Sequence, residues 1–413
     1  MSDPRLSTVC CVNKDRTPCP VILSRSEGSL GHVQPRPNEE APNRVRRSNS
    51  WSSAVLLLAS LFLTACSSSV DPAPPSSAPT PTRAAAAYLA PTPEIEPIRF
   101  PEDEAPHEML TEWWYYTGHL FTDDGTRYGF EYVIFQARRG AFPPYFASHF
   151  AITNSADEEF VYAEKFGIDA VRDTDVGFAF DLDGWTMRGA LGEDHFAAAM
   201  DTYAIDLQLS STRPPALHDD IGYVDFGASG GSYYYSRTRM DVAGTLSVDG
   251  QPRTVTGEAW FDHQWGNFIT VGAGGWDWFS VQMEDGNDLT ISLVRDNDGN
   301  LVTSYGTLVR PDGTQVNLAP DDIAVQATDT WTSPHTGAIW PSRWTIELPG
   351  ENWSLTLTPS MADQELQTIA STDVIYWEGE VLIEGTINGS PATGLGYVEL
   401  TGYADGLPVQ LAP

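Results

Sequence analysis

Glu112-Trp113-Trp114-Tyr115-Tyr116-Thr117-Gly118-His119 opens a run that continues to Phe121, breaks at Asp123-Asp124-Gly125 and resumes from Tyr128 to Ala137. Aromatic and β-branched residues on either side of an Asp-Gly turn read as two antiparallel strands. With a period of two, Trp113, Tyr115 and Thr117 share one face, and Glu112, Trp114 and Tyr116 share the other. Both faces are apolar enough to be covered. Glu112, Trp114 and Tyr116 therefore belong either to a barrel strand buried on both sides or to the wall of a ligand pocket.

The same strand–turn–strand pattern repeats outward from this segment. Strand-like runs recur at Phe146 to Thr153, Ala204 to Leu209, Tyr233 to Arg239, Thr254 to Asp262, Trp276 to Met283, Leu289 to Arg295 and Tyr376 to Glu384. Asp183-Gly184, Asp249-Gly250, Asp312-Gly313 and Asn388-Gly389 punctuate them. About nineteen strand candidates and almost no sustained helical period predict an all-β chain of antiparallel strands. That number exceeds one small barrel, so two lipocalin-like antiparallel β-barrels in tandem are expected. The boundary is placed in the region Tyr235 to Gly250, giving an N-terminal domain over 99–240 and a C-terminal domain over 241–413.

Composition narrows the function. The 413 residues hold 23 Lys+Arg against 56 Asp+Glu, a net charge of −33. Such a surface repels phosphates and excludes nucleic-acid binding through a basic face. The 13 Trp, 16 Tyr and 17 Phe favour aromatic-lined interior surfaces. All four cysteines lie at or before residue 66, so the folded part has no disulfide framework and no cysteine metal site.

The N-terminal segment reads as an address. Arg44, Arg46 and Arg47 precede the apolar run Ala54 to Leu63, which is too short to span a bilayer. It ends in Leu63-Thr64-Ala65-Cys66, which resembles the lipobox of bacterial lipoproteins, in which the cysteine becomes the lipidated N-terminus. Residues 1–65 are read as a mis-called start plus a lipoprotein signal peptide. Residues 66–98, rich in Pro, Ser and Ala, read as a tether. The expected location is extracytoplasmic, lipid-anchored to the bacterial cell membrane through Cys66.

Two further tracts can carry chemistry. In Trp260-Phe261-Asp262-His263-Gln264-Trp265-Gly266, the residues Phe261, His263 and Trp265 share one face, and Trp260, Asp262 and Gln264 the other. Buried polar groups in such a strand need partners. They form either an acid–base site or a structural hydrogen-bond network. In Trp276-Asp277-Trp278-Phe279, the indoles of Trp276 and Trp278 are suited to steadying a cation or to plain core packing. Tyr397 and Glu399 share a face in the closing strand, where Glu399 is either a buried carboxylate or a surface rung. No phosphate-binding loop, nucleophile elbow or His-Glu-x-x-His pattern is present. No metal and no cofactor is expected.

Glu112 to His119, Ala147-Ser148-His149-Phe150, Asp262-His263-Gln264-Trp265-Gly266, Trp276 to Phe279 and Gly394 to Tyr403 together resemble the AttH-like, or carotenoid 1,2-hydratase (hydroxyneurosporene synthase), family. The resemblance covers essentially all of residues 99–408. It implies two lipocalin-like barrels side by side and, in the family's hydratases, addition of water across a terminal isoprenoid double bond without a cofactor. His263 and Trp265 match the family's His-x-Trp pair. The family's completing Tyr and Asp have no clear counterpart, since Trp276-Asp277-Trp278 stands on the next strand. Many secreted members carry only the label of hydrolase.

The expected function is hydratase- or lyase-type acid–base chemistry on a hydrophobic, isoprenoid- or lipid-like small molecule. Asp262 or Asp277 would be the acid and His263 the base, with Trp265, Trp276 and Trp278 as the wall. Glu112, Trp114, Tyr116, Tyr397 and Glu399 would contact the substrate. A non-catalytic carrier of a hydrophobic ligand and a secreted hydrolase are the alternatives. The hollow of a closed barrel is expected to be the working surface, with the site in the second barrel or between the two.

Overall fold

The computed structural model describes residues 46–47, 95–226, 230–267 and 273–411. Almost all regular structure is strand. Twenty strands of four residues or more follow in order: β1 (Thr111–Thr122), β2 (Arg127–Ala137), β3 (Tyr145–Asn154), β4 (Glu159–Gly167), β5 (Phe178–Leu182), β6 (Trp185–Ala190), β7 (Glu193–Ala199), β8 (Tyr203–Ser211), β9 (Gly231–Val248) and β10 (Gln251–Gly266). The second set is β11 (Ala273–Met283), β12 (Asp288–Asp296), β13 (Leu301–Val309), β14 (Gln315–Leu318), β15 (Ala324–Thr332), β16 (Ile339–Leu348), β17 (Trp353–Pro359), β18 (Glu365–Thr368), β19 (Val374–Ile387) and β20 (Ser390–Thr401).

The first ten strands form one sheet in the order β4-β3-β2-β1-β10-β9-β8-β7-β6-β5, which curls until its outer strands approach each other and nearly close a barrel. Arg46–Arg47 adds to the β4 edge in parallel. The second sheet runs β14-β13-β12-β11-β20-β19-β17-β16-β15, with β18 paired to β19. The change of sheet falls between Gly266 and Ala273, whereas the sequence boundary at residue 240 lies within β9.

Local sequence sets the register. The pairs Leu182↔Trp185, Val248↔Gln251 and Ile387↔Ser390 leave two-residue loops, Asp183-Gly184, Asp249-Gly250 and Asn388-Gly389. Both residues of each loop have positive φ, from 50° to 84°, as a type I′ turn requires. These turns match the right-handed strand twist, so each fixes which residues face inward.

Alternation then divides every strand between two environments. Trp114, Tyr116, Tyr132, Phe196 and Phe261 turn into the first barrel and fill it. Phe279, Trp344, Leu357, Trp377 and Val398 do the same beneath the second sheet. The opposite faces of β1, β2 and β10 lie against those of β11 and β20 through Tyr115, Val133, Trp260, Trp278 and Tyr397, and β3 lies against β19 through Ala151 and Tyr376. Buried polar contacts tie the two sheets. The Tyr115 hydroxyl donates to Glu378 Oε1 at 2.8 Å, and Arg213 and Arg239 both reach Asp288 at 2.7–2.9 Å.

The described helices are single turns, none long and apolar enough to cross a membrane. Cys66 and most of the predicted signal and tether, residues 48–94, lie outside the described residues.

Candidate functional site

The described residues enclose a cavity of about 430 Å³, and it lies between the sheets rather than inside a barrel. The barrel hollows expected as working surfaces are instead packed with side chains, because the inward positions of most strands carry large apolar residues. The cleft is walled by Trp113, Tyr115, Phe135 and Tyr234 from the first sheet and by Trp276, Trp278, Tyr305 and Tyr376 from the second. Its polar groups include Glu131, His149, Asp262, Ser371 and Glu399. An apolar pocket with a few convergent polar groups is the usual form of a small-molecule site.

The carboxyl groups here are unusual. Glu131 is buried, its Oε1 faces the Tyr376 hydroxyl at 2.9 Å, and its Oε2 has no partner. Burial pushes its pKa up to about 8, with the Tyr376 hydrogen bond opposing and Glu399 reinforcing the rise. Glu399 accepts a 3.1 Å bond from Trp276 Nε1, and burial raises it to about 7. Asp262 accepts from Trp260 Nε1 at 2.7 Å, from the Tyr234 hydroxyl at 2.5 Å and from Ser236. Burial lifts Asp262 to about 7 against those three donors. Glu378, behind Tyr115, is raised well above its usual value by burial and then by Glu131 and Glu399. At neutral pH the cleft therefore presents a protonated acid, Glu131, beside groups close to balance, the pattern from which acid and base roles are assigned.

The residues singled out in the sequence fall into three places. Asp262, Trp276, Trp278 and Glu399 meet in the cleft. Tyr397 is buried in the adjoining inter-sheet cluster, with its ring 5.6 Å from His119. Glu112, Trp114, Tyr116, His263 and Trp265 occupy the first barrel's interior, on the far side of their strands from the cleft. Asp277 turns beneath the second sheet, where Arg295 Nη2 (2.6 Å) and the Tyr403 hydroxyl (2.8 Å) hold it. Alternation separates Asp262 from His263 and Asp277 from its flanking tryptophans: neighbours along a strand cannot share a site.

His263 has its own network. Its Nε2 lies 2.9 Å from Glu112 Oε1, which also receives His107 Nδ1 at 2.8 Å. Glu112 Oε2 accepts the His107 backbone N–H at 2.8 Å and Gln136 Nε2 at 3.0 Å. Trp265 stacks on His107 at 4.1 Å. Ligand-type atoms of His107, Glu112 and His263 come close enough to hold a metal ion. Hydrogen bonds join these same atoms to one another. Burial lowers His263 to about 4, keeping it neutral at pH 7.

Glu131, His149, Ser371 and Tyr376 are cleft residues the sequence reading did not assign. A signal existed for two of them: Glu131 sits among Phe130, Tyr132 and Val133, and His149 between Ser148 and Phe150, so each is a polar residue inside an apolar strand.

These shifts give stability a pH dependence. Glu131, Asp262 and Glu399 titrate higher when folded (about 8, 7 and 7) than their ordinary 4.5, 3.8 and 4.5. Between those limits the folded chain holds extra protons, so their contribution is full in acid and is lost as pH rises. Burial lowers His149 and His218 to about 3, and His263 to about 4, which acts oppositely below pH 6.5. From pH 6.5 to 8 the carboxyls act alone. The denaturation midpoint is expected to fall across that interval, and a rise would contradict the neutral carboxyls.

The geometry defines a lipocalin-type protein of two antiparallel sheets with an apolar, carboxyl-bearing cleft between them. The chain belongs to the AttH-like family, whose model matches residues 91–403. It is similar to the crystal structure of a putative AttH from Nitrosomonas europaea, with 30% identity, 76% of this chain and 99% of that chain covered, and a TM-score of 0.68. Kievitone hydratase from Nectria haematococca shares the fold at 17% identity, covering 71% of this chain and 90% of that one, with a TM-score of 0.60. CghA with Sch210972 shares it at 15% identity, covering 77% and 97%, with a TM-score of 0.51. A search of curated proteins found no match.

Proposed function

We propose that this chain binds a hydrophobic, isoprenoid- or lipid-like molecule in the inter-sheet cleft and hydrates it, or removes water from it, by cofactor-free acid–base chemistry. The observation that carries this reading is the buried Glu131 carboxyl, one oxygen without a partner and its pKa pushed up by burial, facing an aromatic-walled cavity of about 430 Å³. The acid gives its proton to one carbon of an alkene, leaving a carboxylate and a tertiary cation. The ring faces of Trp276 and Trp278 steady that cation. Water adds to it and loses a proton to Asp262, whose three hydrogen-bond donors suit it to the ionised form. Two structural neighbours accord with this reading: one is by name a hydratase, and another is a structure of CghA with Sch210972.

The test is incubation of the purified protein with a terminal isoprenoid alkene in heavy water. The expected product is a tertiary alcohol carrying one deuterium on carbon. Native mass spectrometry of the protein as isolated complements it, since an apolar molecule carried and released unaltered, with no alcohol formed, would favour a carrier and overturn catalysis.

The lipid anchor belongs to the same reading, because a tethered protein samples apolar molecules at a membrane surface. It rests on Leu63-Thr64-Ala65-Cys66. Cys66→Ser is expected to move the protein from the membrane fraction to the soluble one. Unchanged fractionation would remove the anchor and leave the cleft chemistry standing.

A further inference from the structure

An acid that gives up a proton once per turnover must regain it, and the water held in the cleft beside an apolar molecule is spent on the addition and does not deliver it. The hydrogen bonds around Glu131 supply another route. Its Oε1 lies 2.9 Å from the Tyr376 hydroxyl, which lies 2.7 Å from His149 Nδ1. His149 Nε2 lies 3.0 Å from Ser371 Oγ, and Ser371 Oγ is 2.6 Å from Glu164 Oε2. Glu164, on β4, is half-buried, whereas Glu131, His149 and Tyr376 are buried. The path crosses between the sheets four times: Glu131, His149 and Glu164 come from the first, Tyr376 and Ser371 from the second.

Resting on the function proposed above, we infer that Glu131 is the proton donor of the cleft and that Tyr376, His149 and Ser371 form the path that restores its proton from Glu164. Every hydrogen in the path can be placed. Before the reaction, Glu131 donates to the Tyr376 oxygen, Tyr376 donates to His149 Nδ1, His149 Nε2–H donates to Ser371, and Ser371 donates to the Glu164 carboxylate. After Glu131 has protonated the substrate, the Tyr376 and Ser371 hydroxyls rotate and the imidazole changes tautomer, giving up its Nε2 proton and taking one at Nδ1, so the order reverses. Tyr376 donates to the Glu131 carboxylate, His149 Nδ1–H to Tyr376, Ser371 to His149 Nε2, and a Glu164 newly protonated from solvent to Ser371. Shifting one proton along each bond returns the first arrangement. Per cycle one proton enters at Glu164, and one passes from the attacking water to Asp262, which faces the cleft and gives it to solvent once the product has left, so the hydration balances.

The other cleft carboxyls lack such a route. The Glu399 partner is an indole N–H, which passes no proton onward. Asp262 is followed by Ser236, His218 and Thr307, but that chain meets the Asn317 amide at 3.4 Å and stops. His149 stays neutral, as a relay that accepts on one nitrogen while releasing from the other requires: burial lowers it to about 3. The groups whose charges bear on Glu131 and Tyr376 are Glu399 and Glu378.

The experiment is infrared spectroscopy of the whole protein with farnesol filling the cleft, following the carboxylic C=O band during transfer to heavy water. Loss of one band in Glu131→Gln assigns it. His149→Gln keeps hydrogen-bonding capacity but cannot relay, and is expected to slow exchange of the Glu131 band at least about tenfold without changing its intensity at pH 7. Ser371→Ala should do the same, and Ser371→Thr, which keeps the hydroxyl, should exchange like wild type. Wild-type exchange in both His149→Gln and Ser371→Ala overturns the path while leaving the acid in place. A Glu131→Gln spectrum identical to wild type, or farnesol that does not bind, overturns the function on which the path rests and the path with it.

Discussion

Glu131→Gln is expected to reduce kcat for hydration of the isoprenoid alkene by about two to four orders of magnitude, the usual contribution of a positioned general acid, while KM stays within a few-fold. The split follows from the state of the wild-type side chain. With its pKa near 8, Glu131 enters the reaction as a neutral acid at pH 7, and Gln reproduces that neutral group in size and shape. The amide still bonds the Tyr376 hydroxyl and adds no uncompensated charge to the cleft, so binding and folding have little reason to change. What it lacks is a proton to give. The same substitution in a plain carrier leaves ligand affinity intact and has no turnover to lose, so the two readings separate in one variant. A kcat within threefold of wild type would remove Glu131 from the chemistry.

The fold was legible because its rules are local. Two-residue Asp-Gly and Asn-Gly loops dictate type I′ hairpins, and a hairpin dictates register, so the face shared by Trp276 and Trp278 and the face carrying Asp262 could be read from spacing alone. The position of the site was not local. Reading cannot tell which face of a two-faced aromatic strand lines a core and which lines a cavity. Asp262 and His263 were therefore grouped by adjacency, although they end on opposite sides of β10. Glu131 escaped notice for the complementary reason. Its meaning comes from Tyr376, 245 positions away on the other sheet, and the separation in sequence carries no trace of that contact. The change of sheet was similarly hidden, since the long β9–β10 hairpin turns at Asp249-Gly250 like any other and gives no sign that both arms belong to the first barrel.

Glu112→Ala, by contrast, is expected to act on stability rather than turnover. The Glu112 carboxylate is buried and accepts four donors: two from His107, one from Gln136 and one from His263. Each buried donor left without an acceptor costs about 1–3 kcal/mol, reduced where water or a shifted side chain compensates. Half-buried His107 can turn toward solvent, but His263 and Gln136 are buried and have little room to do so. A loss of about 3–5 kcal/mol is therefore expected, comparable to breaking a buried ion pair. It should be read as a lower urea midpoint with an unchanged slope. Glu112→Gln keeps one carbonyl oxygen for the two imidazoles and should recover part of the loss. Adjacency in sequence joins His263 to the catalytic strand, but packing joins it to the plug of the first barrel, and the two assignments make opposite demands here. If Glu112→Ala leaves the midpoint unmoved and abolishes turnover, the His107–Glu112–His263 cluster belongs to the chemistry after all. If the midpoint drops and the surviving folded fraction turns over normally, the barrel interior is scaffold and the inter-sheet cleft is the working surface.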